Sequence, residues 1–124
     1  MRSRKPTLTE HELEIMKIVW DLEHATVRDV YEAILKNRRI AYTTVMTMMK
    51  ILETKGYLKK SQEERAYVYH RYQPKQSVIA HMVNEFVDRV FNGSAEPLLV
   101  HLVAEEGLTE KELAEIGRLA RKEK

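Results

Sequence analysis

The sequence predicts a mostly α-helical protein that contains one small β-hairpin. Apolar residues recur at spacings of three and four along most of the chain, which is typical of amphipathic helices. Two short segments near the middle, one of them rich in Tyr and Val, favour paired strands instead. The 124 residues include 44% apolar side chains with only 4 Gly and 3 Pro, so the chain is expected to fold and not to be disordered.

Composition excludes several classes of protein. The chain has no Cys, which rules out disulfides and thiolate metal sites and fits a reducing, cytoplasmic environment. No apolar run reaches about 18 residues, so membrane insertion is not expected, and the basic N-terminus leads into no apolar segment of a secretory signal. The net charge of +2 divides into +4 for residues 1–73 and −2 for residues 74–124, which favours an anionic partner for the first part.

Two helices are expected near the N-terminus, each with a hydrogen-bonding cap. Thr9 can cap the first helix, with Glu12 at the third helical position of a capping box. Thr26 and Asp29 repeat this spacing at the start of the second helix. The residues expected to face the core are Leu13, Ile15, Met16, Ile18, Val19 and Trp20 on the first helix, and Val27, Val30, Ala33 and Ile34 on the second.

A third helix and a hairpin complete the first part of the chain. The helix is predicted over Tyr42–Thr54 and ends before Lys55-Gly56, a basic residue and a glycine that commonly follow helices. Residues 57–60 and 66–71 are predicted strands, joined by the polar residues 62–65. Three helices followed by a hairpin indicate a winged helix-turn-helix domain for DNA binding over residues 1–73. Pro74 marks its boundary with a helical dimerisation domain over residues 74–124.

Residues 74–124 are predicted to form three further helices. The first ends at Asn92-Gly93, and the last begins with a capping box formed by Thr109 and Glu112. About fifty residues cannot bury their apolar stripes alone, so a second copy is expected to cover them in a two-fold dimer. Folding back onto the first domain is the alternative. The expected dimerisation residues are Ile79, Met82, Val83, Phe86, Val90, Leu98, Leu99, Leu102, Leu113 and Ile116.

The third helix carries the candidate nucleic-acid-binding face. On a helical wheel, Thr43, Thr47, Lys50 and Thr54 form a narrow polar strip opposite the apolar face. Thr can hydrogen-bond a base or a phosphate and contact a thymine methyl group, while Lys50 suits a phosphate or a guanine edge. An ordinary solvated face is the alternative, although Thr is a poor helix former for that purpose.

Basic residues flank the third helix. They are Arg38 and Arg39 before it, Lys59 and Lys60 after it, and Arg2, Arg4 and Lys5 in a potential N-terminal arm. A helix in the major groove with cations at phosphate distance is the geometry of helix-turn-helix proteins. Glu63 and Glu64 at the hairpin tip would repel phosphate, so the wing is expected to meet the backbone through Lys60 or Arg65.

The remaining conspicuous side chains are expected to be structural. Tyr67 and Tyr69 are predicted to pack within the wing, and Trp20 and the pair Met48-Met49 to fill the core. The five histidines show no metal-ligand spacing, so no metal and no cofactor is expected. No nucleophile motif, phosphate loop or opposed pair of carboxylates predicts catalysis, so the protein is not expected to be an enzyme.

Several motifs of the chain together match a known family. They are Leu8-Thr9-x-x-Glu12, Ile18-Val19-Trp20, Tyr42-Thr43-Thr44-Val45-Met46-Thr47, Leu52-Glu53-Thr54-Lys55-Gly56-Tyr57-Leu58 and Ala66-Tyr67-Val68-Tyr69. From about residue 8 to residue 119 the chain resembles the penicillinase-repressor family (BlaI/MecI/CopY type). The resemblance implies a homodimeric winged-helix repressor of palindromic promoter DNA. By position, the implied DNA contacts are Thr43, Thr44, Met46, Thr47 and Lys50, to which flanking Arg39, Lys60 and Arg65 are added.

The chain departs from this family pattern at informative positions. Relatives often carry Arg where Ile51 stands and a basic residue where Met46 stands, so the operator sequence is not carried over. Met46 either contacts a thymine methyl group or belongs to the core. In antibiotic-responsive relatives, a membrane sensor protease leads to cleavage of an Asn-Phe bond that corresponds to His101-Leu102 here. A membrane sensor protease is therefore a candidate partner, although the Asn-Phe bond cleaved in those relatives is absent at this position.

The predicted function is a sequence-specific transcriptional repressor that occupies a palindromic operator as a homodimer, with C-terminal proteolysis as one route of release. The alternative is a protein-interaction adaptor that uses the winged-helix scaffold without specific DNA binding. An exposed apolar groove around the third helix, in place of a basic surface, would favour the adaptor.

Overall fold

The computed structural model describes residues 7–122 and confirms a mostly helical chain with a small antiparallel sheet. Its elements are α1 (Glu10–Leu22), β1 (His24–Ala25), α2 (Val27–Leu35), α3 (Tyr42–Thr54), β2 (Leu58–Glu63), β3 (Ala66–Arg71), α4 (Lys75–Phe91), α5 (Glu96–Glu106) and α6 (Glu110–Lys122). The predicted basic arm of Arg2, Arg4 and Lys5 lies outside the described residues. None of the described helices is long and apolar enough to cross a membrane.

The predicted helix caps are present at α1, α2 and α6. At α1, the Glu12 amide donates to Thr9 Oγ1 at 3.2 Å, and the Thr9 amide donates to the Glu12 carboxylate at 2.9 Å. Thr26 and Asp29 make the same reciprocal pair at 3.0 and 3.1 Å. At α6, the Thr109 amide donates to the Glu112 carboxylate and the Glu112 amide donates to Thr109 Oγ1. Each cap satisfies backbone amides that a helix start would otherwise leave without partners.

A short strand that the sequence pattern did not predict, β1, enlarges the hairpin to a three-stranded sheet. The strand order is β1-β3-β2, with both pairs antiparallel. His24 lies opposite His70, and Ala25 lies opposite Tyr69. Two residues are too few to show the alternation that identifies a strand, so this pairing follows from the approach of β3 to the link between α1 and α2.

The hairpin connection is shorter than predicted. Strand β2 continues to Glu63, which lies opposite Ala66, and only Glu64 and Arg65 form the turn. The prediction that residues 62 and 63 belong to the connection was therefore wrong. Polar side chains are tolerated there because these positions are exposed. Glu64 takes a φ of +56°, a left-handed conformation that tight hairpin turns require.

The core of the first unit lies between α1, α2, α3 and the sheet. Its buried apolar residues include Ile15, Met16, Val19, Val30, Ile34, Val45, Met49, Leu52, Leu58, Val68 and Tyr69. Met48 and Trp20 are only partly buried, and the Lys75 ammonium lies 5.7 Å from the centre of the Trp20 ring. Tyr67 is 53% exposed, so the expectation that it packs within the wing was wrong.

A buried carboxylate connects α1 to the end of α3. Glu12 is 5% exposed, and its Oε1 lies 2.7 Å from Lys55 Nζ. Lys55 also donates to the Thr7 carbonyl oxygen at 3.2 Å. Burial opposes ionisation of Glu12, but the hydrogen bonds from Lys55 and from the Thr9 backbone outweigh it and lower the pKa of the carboxyl. The pair fixes the C-terminal end of α3 against α1.

Because the pKa of Glu12 is lowered from its ordinary 4.5, we expect folding stability to fall as the pH drops below about 4.5. The unfolded chain then binds a proton that the folded chain binds less readily, so acid favours unfolding. Urea unfolding at pH 7, 4 and 3 measures the effect. The control is Glu12→Gln, whose free energy of unfolding should fall less over the same range. Equal falls in both proteins would contradict this assignment.

The chain divides into two compact units, Met1–Ile79 and Ala80–Lys124. The first unit extends beyond the boundary predicted at Pro74. It includes the first turn of α4, where the amides of Ser77 and Val78 donate to the Pro74 carbonyl oxygen and Val78 is buried. Whether residues 1–73 fold as an independent domain stays a prediction.

The helices of the second unit bury little apolar surface within one chain. Val87, at 9% exposed, is the only buried apolar side chain among the described residues of this unit. The predicted dimerisation residues Val83, Phe86, Val90, Leu99 and Ile116 are exposed. Those that are partly buried are Ile79 in the first unit and Met82, Leu98, Leu102 and Leu113 in the second.

Candidate nucleic-acid interface

Helix α3 presents its predicted polar strip to solvent. Thr43, Thr44, Thr47 and Lys50 are all exposed, while the opposite face of the helix is buried in the core. Met46 is 40% exposed, so of the two roles considered for it, membership of the core was wrong. Exposed Thr and Met side chains on one helix offer hydroxyl groups and an apolar contact of the kinds that read base edges in a major groove.

A cleft of about 800 Å³ runs alongside α3. Tyr42, Met46 and Lys50, spaced four residues apart on one ridge of the helix, form one wall. The start of α2 contributes Arg28 to another. Thr43 and Thr47 do not line the cleft. Helix α3 therefore exposes two adjacent ridges, a threonine ridge of Thr43 and Thr47 outside the cleft and a mixed ridge that lines it.

The hairpin forms the opposite wall of this cleft. Lys60, Arg65 and Tyr67 line it, and Lys60 Nζ lies 4.5 Å from the centre of the Tyr67 ring. Lys60 Nζ also lies 3.7 Å from the Glu53 carboxylate, at a partly exposed position. The predicted wing cations, Lys60 and Arg65, are thus brought beside the third helix. Lys60 is partly neutralised by Glu53.

The cleft carries an excess of cationic side chains. Arg28, Lys50, Lys60 and Arg65 line it, and no Asp or Glu does. Arg28 is held by Glu32 on the same helix at 3.3 Å, with both side chains largely exposed. Within residues 7–122, no salt bridge engages Lys50 or Arg65. Glu32 and Glu53 partly offset Arg28 and Lys60, but the four cations that line the cleft still leave an excess of positive charge, which favours an anionic partner.

Two of the arginines predicted to flank α3 have different environments. Arg38 makes two hydrogen bonds to the Glu14 carboxylate, from Nη2 at 2.6 Å and from Nε at 3.3 Å. The Arg38 hydrogen bond lowers the pKa of Glu14, and the pairing occupies the Arg38 guanidinium in the free protein. Arg39 is exposed and lines a separate recess beside Tyr31 and Leu35.

Arg28, Tyr42 and Tyr67 are among the cleft residues that the sequence did not predict. The cap at Thr26 places Arg28 in the first turn of α2, but nothing in the helical pattern shows that this turn faces the hairpin. Tyr42 is 39% exposed, and its ring meets that of Tyr31 edge-on at 5.3 Å. Alternation could not have identified Tyr67, because it places Tyr67 and Tyr69 on one face of the sheet, yet Tyr69 is buried and Tyr67 is exposed.

The positions predicted to correspond to a cleaved bond, His101 and Leu102, lie inside a helix. His101 is exposed and Leu102 is partly buried, and both belong to α5. The backbone of an α-helix is hydrogen-bonded to itself, so this bond is accessible to a peptidase only when α5 opens locally.

The sequence and the fold are similar to those of known repressors. The family model of the penicillinase repressor matches residues 8–122. The transcriptional regulator BlaI of Mycobacterium tuberculosis is 35% identical over 108 residues, which cover 83% of this chain and 76% of that protein. The penicillinase repressor of Bacillus licheniformis is 24% identical over 119 residues, or 96% of this chain and 93% of that protein.

A solved structure shares the fold of part of this chain. The solution structure of monomeric Bacillus licheniformis BlaI in complex with the blaP half-operator superposes with a TM-score of 0.52 and 27% identity. The match covers 59% of this chain and 89% of that one. Matched along nearly its whole length by the family model, and with a relative above 30% identity, the chain belongs to the penicillinase-repressor family.

Proposed function

We propose that this protein is a transcriptional repressor that binds double-stranded operator DNA in a sequence-specific manner. The observation that carries the proposal is the exposed threonine ridge of α3 beside a cleft lined by four cations and no carboxylate. Threonine hydroxyl and methyl groups suit base edges, and cations suit the backbone phosphates that position a protein on the duplex. Repression then requires only occupancy of a promoter in the cytoplasm, with no chemistry by the protein.

The base-reading residues in this proposal are Thr43, Thr44, Thr47 and Met46, near the start of α3. Their side chains are short or flexible, and they project from the end of the helix that enters the groove first in helix-turn-helix proteins. The similarity to BlaI, whose complex contains a half-operator, supports this orientation. Arg39 and Arg65, both exposed, are proposed to contact phosphates on either side of the helix.

The proposed binding unit is a homodimer joined through the second unit. The exposed apolar side chains of α4, α5 and α6, including Val83, Phe86, Leu99 and Ile116, support this arrangement. An isolated chain would leave them in water, and a two-fold partner buries the same surface on both copies. Two-fold symmetry in turn matches a palindromic operator. Release by a sensor protease would require opening of α5 at His101-Leu102.

The experiment that tests the proposal is selection of bound sequences from random duplex DNA by the full-length protein. We expect the selected sequences to share a motif with dyad symmetry, with half-sites about 10 base pairs apart or a multiple of that spacing. Selected sequences without any shared motif would overturn sequence-specific binding. A shared motif without a dyad would leave specific binding intact and overturn the homodimer. Capture of a protein partner, with no DNA binding at low salt, would support the adaptor instead.

A further inference from the structure

A second recess, of about 660 Å³, lies where α1 ends and α4 begins. It shares no lining residue with the cleft beside α3 and includes no residue of that helix. We infer that this recess binds a small aromatic monocarboxylate, a ligand that the proposed function does not require. The residues that line it, all in the first unit, are Trp20, Glu23, His24, His70, Arg71 and Lys75.

The recess offers a surface for the ring of such a ligand. Trp20 is only partly buried, so part of its indole remains accessible. His24 on β1 lies opposite His70 on β3, and their ring centres are 5.9 Å apart. Aromatic rings pack favourably at centroid distances of about 4.5–7 Å, so a ligand ring can pack among these three side chains. The volume of the recess falls within the range of about 300–1,000 Å³ that is usual for small-molecule sites.

Two cations at the recess lack a carboxylate partner. Arg71 at the end of β3 and Lys75 at the start of α4 are both exposed. Neither makes a salt bridge within residues 7–122. The Lys75 ammonium lies 5.7 Å from the centre of the Trp20 ring, so positive charge and aromatic surface occur at the same place. A ligand carboxylate would accept charge-assisted hydrogen bonds here, which are stronger than those between neutral groups.

Glu23 limits the charge of the ligand. It lines the recess with Arg71 and Lys75, yet it makes no salt bridge to either of them. With the imidazoles neutral, two cations and one carboxylate leave an excess of one positive charge. A monoanion balances this excess, whereas a dianion is repelled by Glu23.

The backbone at Glu23 also distinguishes this recess from an ordinary surface depression. Glu23 has a φ of +71° directly after α1, a value that is uncommon for residues other than glycine. Backbone strain of this kind is found preferentially at ligand-binding and functional sites. The strained residue lies in the same recess as the unpaired cations and the accessible indole, so two independent features point to a ligand at this position.

Phenylacetate is the probe for this site, and Trp20 is the reporter, because the chain contains a single tryptophan. Phenylacetate should change the tryptophan fluorescence of the full-length protein along a saturating curve, with a dissociation constant on the order of 1 mM for so small a ligand. Acetate lacks the ring and phenylacetamide lacks the charge, so each should bind at least about 10-fold more weakly. Phenyl phosphate, a dianion, should also bind more weakly than phenylacetate.

Variants of the two cations locate the binding. Arg71→Gln and Lys75→Gln should each weaken phenylacetate binding about 5- to 10-fold, an effect moderated by the exposure of both groups. Lys17→Gln is the matched control, because Lys17 is an exposed lysine of α1 that does not line the recess. It should bind phenylacetate as the wild type does. A second readout does not depend on Trp20: phenylacetate should raise the thermal midpoint of the wild type, followed by circular dichroism, more than that of Arg71→Gln.

Four results would overturn the inference. They are a wild-type fluorescence signal that does not saturate, equal affinities for phenylacetate and phenylacetamide, wild-type affinity in both Gln variants of the recess, and tighter binding of phenyl phosphate than of phenylacetate. None of these measurements involves operator DNA. A negative result therefore leaves the proposed repressor function intact, and a failure to select an operator leaves this site intact.

Discussion

Raising the salt concentration from about 50 to 200 mM is expected to weaken binding of the wild-type protein to its operator by about 10³–10⁵-fold. This range applies to proteins that make roughly 6–10 phosphate contacts. The proposed homodimer would reach that number, because each protomer offers Arg28, Arg39, Lys50 and Arg65 as exposed cations. Each phosphate contact releases a counterion from the duplex into solution. This release favours binding less as the salt concentration rises, so the affinity falls.

Fluorescence anisotropy with a labelled operator measures this dependence, with a dissociation constant fitted at each salt concentration. A non-specific duplex of the same length is the control. Its affinity should fall steeply too, because phosphate contacts carry no sequence information. An affinity for the operator that stays flat across the range would contradict a phosphate-binding surface on this protein.

Replacing Lys55 with Met is expected to lower the free energy of unfolding by about 3 kcal/mol, because the change leaves the Glu12 carboxylate buried without its cation. The Glu12 and Lys55 side chains are 6% and 22% exposed, and their charged atoms lie 2.7 Å apart. A surface pair of the same length would contribute far less, since water would replace the lost partner.

Urea unfolding at one fixed protein concentration measures this change, because the stability of a dimer depends on concentration. The double variant Glu12→Gln, Lys55→Met should recover at least half of the loss, since Gln at this position can still accept the Thr9 amide of the capping box. Arg28→Met is the matched control. It breaks the exposed pair with Glu32 and should cost less than about 1 kcal/mol. Equal losses for Lys55→Met and Arg28→Met would contradict the structural role of the buried pair.

Helices and caps whose signals lie within a few consecutive residues were predictable from the sequence. The helical spacing and the Lys55-Gly56 stop predicted α3 over the same residues that the structure shows. The caps at Thr9 and Thr26 marked the starts of α1 and α2. Each of these signals acts within a few residues, through backbone amides and side chains that meet in any helix of that sequence.

Features that depend on residues far apart in the chain could not be predicted in this way. Glu12 and Lys55 are separated by 43 positions, and Arg38 and Glu14 by 24. The same limit hid the place of Arg28 in the cleft, because the approach of the hairpin to α2 is set by core packing. The helical wheel predicted the exposure of Lys50 correctly but grouped it with the threonines, since the two ridges are neighbours on the helix surface.

The order of strands in the sheet has a mechanical consequence. Strand β3 lies in the centre, held by β2 on one side and by β1 on the other. Because β1 belongs to the link between α1 and α2, its pairing with β3 ties the hairpin to the helices. A hairpin held in this way adjusts less to the duplex, so we expect the DNA to absorb a misfit by curvature. Sequences that bend at low energetic cost will therefore be preferred at base pairs that no side chain touches.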